Sequence, residues 1–123
     1  MRVLEDLEPK KVFSYFETLC YIPRPSGQMK LVSDYVRTFA RSKELECHQD
    51  ALGNVIVIAP ASEGYENAPA VILQGHLDMV AEKEPDCPID MKREGVRVCL
   101  DGDRIFAKGT TLGGDDGEEP LIQ

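Results

Sequence analysis

The residues with the clearest chemical potential are Gly75-His76-Leu77-Asp78 and Gly113-Gly114-Asp115-Asp116-Gly117. The first follows the apolar run Ala70-Val71-Ile72-Leu73, which reads as a buried strand. In extended backbone, residues two apart share a face, so His76 and Asp78 point the same way. A neutral imidazole is a good zinc ligand, and a carboxylate beside it can fix the ring's orientation and tautomer. The competing reading is a histidine that merely caps a strand. In the second motif adjacent carboxylates repel unless a cation or hydrogen bonds compensate, and three glycines free the backbone around them. One carboxylate can bridge two metals roughly 3.5–4 Å apart. The bland alternative is a flexible acidic turn. A calcium loop lacks the EF-hand ligand ladder and its closing glutamate.

Other catalytic patterns are missing: there is no GxSxG elbow, phosphate-binding loop, GxGxxG or HExxH. His48, on an alternating strand beside Cys47, reads as a surface polar residue. Asp101 and Asp103 flank Gly102 and are explained by a hairpin turn.

These residues must be positioned by an α/β framework. Val12, Phe13, Phe16, Leu19 and Cys20 recur at helical spacing, predicting a helix over 9–20 with Pro9 in its first turn. Pro23 and Pro25 break it. Ser26 is a candidate N-cap for a second helix over 27–42, with Leu31, Val32, Tyr35, Val36 and Phe39 as its buried stripe. The period then changes. Residues 45–49 alternate, 50–54 form a turn, and 55–59 and 70–75 read as buried strands. Residues 60–69 and 81–95 are irregular, and 96–107 form a β-hairpin. Helices followed by strands predict a mixed β-sheet with flanking helices.

The chain has 123 residues and a net charge of −8. Residues 1–62 balance eight basic against eight acidic side chains, while residues 63–123 carry six against fourteen. This argues against nucleic-acid binding, whose footprint is a basic patch. No apolar run reaches the length of a signal-peptide core or of a membrane span, so a cytoplasmic location with no membrane partner is expected. The four cysteines form no CxxC pair and read as reduced thiols.

Four stretches in order, Ile22-Pro23-Arg24-Pro25-Ser26-Gly27, Asp50-Ala51-Leu52-Gly53-Asn54-Val55, Gln74-Gly75-His76-Leu77-Asp78-Met79-Val80 and 107–117, resemble the start of an aminoacyl-histidine dipeptidase (Xaa-His or β-Ala-His dipeptidase, carnosinase-like) of the M20 metallopeptidase family. The resemblance covers residues 1–117 and implies the N-terminal part of a zinc-exopeptidase-like catalytic domain, with 118–123 as a divergent tail. It implies that His76 ligates one zinc ion, that Asp78 orients the imidazole and is catalytic, and that Asp115 bridges two zinc ions, with a cis bond following it. Dipeptides, especially those ending in histidine, would be the substrates. After Gly117 the sequence leaves the family pattern. The general-base glutamate, its neighbouring ligand, a further aspartate and a distal histidine have no counterpart. A truncated or frameshifted, inactive chain is therefore expected, with weak or absent zinc binding. The alternative is a non-enzymatic fragment or small interaction module.

Overall fold

The computed structural model describes residues 2–113. Helix α1 spans Lys10–Cys20 and α2 spans Lys30–Ser42. Strands β1 (Glu46–Gln49) and β2 (Val55–Ile58) pair antiparallel, as do β3 (Val98–Asp101) and β4 (Arg104–Ala107). The expected α/β class is observed, with the strands among the described residues arranged as two separate two-stranded sheets.

Phe13, Phe16 and Cys20 line one face of α1 and meet Leu4, Met79, Val96, Val98 and Ile105 in a single core. The apolar spacing read from the sequence is what turns this face inward. The second helix packs on β1 and β2. Its buried positions are Val32, Ser33 and Ala40, so the stripe is rotated from the predicted one, and Leu31 is exposed. The reason is polar. Ser33 Oγ donates to the Gly53 carbonyl at 2.7 Å and accepts from Gln49 Nε2 at 2.6 Å, which draws that side of α2 onto the β1–β2 turn. Tyr15 and Phe39 join the helices edge to face, with centroids 5.3 Å apart.

The turns follow their residue chemistry. Asp50 Oδ1 accepts from the N–H groups of Leu52 and Asn54, both at 2.9 Å. Gly102, at φ +61°, takes the left-handed position of the β3–β4 turn.

Two strand expectations need correction. Residues 70–75 form no ladder among the described residues, and Val71, Ile72 and Leu73 are 83%, 88% and 92% exposed. An apolar run is buried only where neighbours cover it, and no described strand lies beside this one. The second strand forms as expected but keeps Ile56, Val57 and Ile58 exposed, because among the described residues its one strand partner is β1.

A buried carboxylate ties the start of the chain to α1. Glu17, 1% exposed, accepts from the Val3 and Leu4 N–H groups at 2.7 and 3.0 Å and from the Tyr21 hydroxyl at 2.5 Å. Burial alone raises the Glu17 pKa, but these three hydrogen bonds and the Arg2 charge outweigh it and hold it below the ordinary 4.5. Burial and the Glu17 carboxylate push Tyr21 up to about 12. Because the Glu17 value is depressed on folding, its contribution is present above pH 4.5 and is lost as pH falls through the lower folded value. Glu17→Gln turns an amide donor toward donors that need an acceptor. It is expected to cost about 1–3 kcal/mol at pH 7. In urea melts the gap from wild type should narrow as the pH falls below 4.5 and through the lower folded value, where the wild-type carboxylate itself protonates.

Candidate functional site

Three segments converge around His76. Pro23 and Pro25 favour extended backbone, and Arg24-Pro25-Ser26 runs beside Leu77-Asp78-Met79. The Met79 N–H donates to the Arg24 carbonyl at 2.9 Å, and Pro25 and Met79 form a parallel bridge. Beyond Met79 the chain leaves along 80–84 and returns along 109–113. The Glu84 N–H donates to the Gly109 carbonyl at 2.8 Å, and the Thr111 N–H to the Glu82 carbonyl at 2.9 Å. Thr111 Oγ1 also donates to the Val80 carbonyl. This zipper brings Gly113 back to Met79, so closely that a Cβ on Gly113 would lie 2.7 Å from Met79 Cβ.

His76 and Asp78 lie together as the two-residue spacing predicts. Imidazole Nδ1 is 2.8 Å from the Asp78 carbonyl oxygen and 3.2 Å from Asp78 Oδ1. Both neighbours are acceptors, so Nδ1 carries the proton and the lone pair of the neutral ring resides on Nε2. Ser26 Oγ donates to Asp78 Oδ2 at 2.6 Å. This bond is the main reason that the Asp78 pKa lies below its ordinary 3.8; burial opposes it, and the neighbouring His76 ring adds to it. The carboxylate is thus ionised at neutral pH and held from both sides. The His76 and Asp78 side chains, 47% and 35% exposed, remain open to solvent.

Arg24 fastens the segments to one another. Its buried guanidinium donates through Nη1 to the Leu77 carbonyl at 3.0 Å and through Nη2 to the Gly113 carbonyl at 3.2 Å. Sequence reading leaves Arg24 without a role and assigns Ser26 to a helix cap. The structure instead places Met29 at the start of α2, with no side-chain cap, and gives Ser26 to Asp78. The partners of Arg24 are 53 and 89 residues away, a separation that periodicity does not reach. The available signal was the pair of prolines flanking an arginine, which fixes an extended segment able to lie along a strand.

Zinc chemistry fits the His76–Asp78 pair. A carboxylate on one ring nitrogen, directing the other toward a cation, is the usual outer support of a zinc histidine. Among the described residues no group of three His, Cys, Asp or Glu side chains could hold a metal ion. Asp115, and the cis bond expected after it, lie outside the described residues. His48 is exposed and pairs with Glu46 at 2.6 Å, as a surface residue would. All four cysteines are free thiols. Among the described residues no helix is long and apolar enough to cross a membrane.

One segment of this α/β unit thus brings a histidine and an aspartate together, with the carboxylate beside one ring nitrogen. The comparisons sharpen this. The chain is 36% identical over 117 residues to the cytosol non-specific dipeptidase of Escherichia coli, a match that covers 95% of this chain and 24% of that protein. Its structure matches the crystal structure of aminoacylhistidine dipeptidase from Vibrio alginolyticus with a TM-score of 0.86 and 35% identity, over 93% of this chain and 23% of that one. No family model matches the sequence. The chain is a homologue of these dipeptidases and spans about a quarter of their length.

Proposed function

We propose that residues 1–117 are the N-terminal part of a zinc dipeptidase catalytic domain, that 118–123 are a divergent tail, and that the 123-residue chain alone does not turn over. The observation that carries this reading is the His76–Asp78–Ser26 relay, in a chain homologous to dipeptidases. In this reading His76 and Asp115 hold zinc, two ions in the complete site, and the bound metal supplies an activated water and a charge that stabilises the oxyanion. The chain's own residues prepare the site. Asp78 holds the His76 Nδ1 proton, and Ser26 holds Asp78. His76 and Asp115 fall short of the three protein ligands typical of a catalytic zinc. Glu118 and Glu119 directly follow the bridging motif in sequence and are not assigned to the family's general-base position. Dipeptides, especially Xaa-His, are the substrates of the complete enzyme, and the compartment is the cytoplasm, as for the Escherichia coli relative.

The exposed run Val71-Ile72-Leu73 supports a second reading, a non-enzymatic module that uses this apolar strand to bind a partner. An assay of Xaa-His hydrolysis by the purified chain with added zinc tests the first reading. No turnover above the blank is expected. Robust turnover that His76→Ala abolishes would overturn the inactivity.

A further inference from the structure

Arg24 is 6% exposed, and no ion pair to it occurs among the described residues. Its Nε is buried and has no hydrogen-bond partner among them. A guanidinium in such a place is costly, and an apolar side chain could fill the same volume at lower cost. What an apolar side chain could not do is grip two carbonyls at once. Nη1 holds Leu77, the residue between His76 and Asp78, and Nη2 holds Gly113, two residues before Asp115 in sequence. The Arg24 carbonyl meanwhile accepts from Met79, so residue 24 grips the His76–Asp78 segment from both its side chain and its backbone.

We propose that Arg24 is a positioning residue that sets the distance between the segment carrying His76 and Asp78 and the segment leading into Asp115. The guanidinium is a rigid planar fork, so the spacing of its two terminal nitrogens becomes the spacing of the two chains. The Glu82–Thr111 and Glu84–Gly109 hydrogen bonds bring the returning chain near, and Arg24 fixes its last step. Its positive charge also lies against the carbonyl of Gly113, and the sequence places two mutually repelling carboxylates just beyond, Asp115 and Asp116. Lysine would keep the charge and much of the stem, but as a point donor it cannot span both carbonyls. The functional meaning of this inference rests on the proposed zinc reading; its geometry does not.

The experiment uses the full, isotopically labelled 123-residue chain and Arg24→Lys. In the wild type, nuclear Overhauser cross-peaks are expected between the Gly113 Hα atoms and the Met79 side chain. In Arg24→Lys these should weaken several-fold, while the β3–β4 cross-strand peaks (Val98 to Ala107, Leu100 to Ile105) stay at wild-type intensity. Gly113–Met79 peaks retained at full intensity would overturn the proposal. So would loss of the hairpin peaks along with them, which would make Arg24 a general fold residue. Titration with zinc alone, read on the His76 ring nitrogens, separates the two ideas. About tenfold more zinc should be needed in Arg24→Lys than in wild type, as when an outer partner of a ligand is lost. Because the two ligands of the chain alone predict weak binding, the titration runs to saturating zinc. A wild-type His76 that still does not respond there counts against zinc ligation by His76 and leaves the Arg24 geometry to be decided by the cross-peaks.

Discussion

Gly95→Ala is expected to destabilise the fold by about 3 kcal/mol or more, the upper end of overpacking costs. The added Cβ would fall on backbone atoms, the carbonyl oxygen of Cys20 and the carbonyl carbon and Cα of Tyr21, at separations that real carbons do not adopt. No rotamer change relieves a clash with backbone. The only escape is to move the end of α1 away from the entry to β3, and that breaks the Val96 N–H to Cys20 carbonyl bond of 2.9 Å. It also opens the core where Cys20, Val96 and Val98 meet. Single domains are stable by about 5–15 kcal/mol, so such a loss is a large share of the total. Gly27→Ala is the control. Its Cβ would meet nothing within 4 Å, and the cost is limited to left-handed backbone at φ +87°, about 1–2 kcal/mol. Urea melts of the two variants should differ clearly, and equal midpoints would contradict the packing described for Gly95.

The second large effect concerns Asp78. Asp78→Ala removes the carboxylate from His76 Nδ1 and leaves Ser26 Oγ without its acceptor. Outer partners of zinc histidines typically contribute 10–100-fold in metal affinity or activity. In a dipeptidase hybrid carrying residues 1–117 in place of the matching stretch of the Escherichia coli relative, kcat/KM is expected to fall by about that factor. In the chain alone the effect is visible without metal. The proton that wild-type His76 keeps on Nδ1 should shift in part to Nε2, read from the ring nitrogen chemical shifts. The shift should be partial because the Asp78 carbonyl, 2.8 Å from Nδ1, remains in place. Unchanged tautomer populations would show that the carboxylate does not orient the ring.

Much of the fold was legible because it is local. Helical spacing marked α1 and α2, alternation marked β1, and Asp101-Gly102-Asp103 marked the hairpin. The pairing of His76 with Asp78 was equally local, since extended backbone brings residues two apart to one face. What the sequence hid depends on distant partners. Leu73 looks like a core residue by type, yet burial requires a neighbour that no described strand provides. Ser26 has the chemistry of a helix cap, but Asp78, 52 residues on, competes for the hydroxyl with a charge-assisted bond. Gly95 carries no turn signal, and its need to be glycine arises from the backbone of Cys20 and Tyr21 pressing against it. Arg24 looks like one of many surface cations until Leu77 and Gly113 are seen on either side of it.

The central claim is that His76, oriented by Asp78, belongs to a zinc dipeptidase site of which residues 1–117 supply one part. The hybrid dipeptidase tests it most directly. Hydrolysis of Xaa-His dipeptides is expected, lost on chelation, restored by zinc and abolished by His76→Ala. A hybrid that melts cooperatively like its parent but hydrolyses no dipeptide, or one whose activity survives His76→Ala, would contradict the assignment.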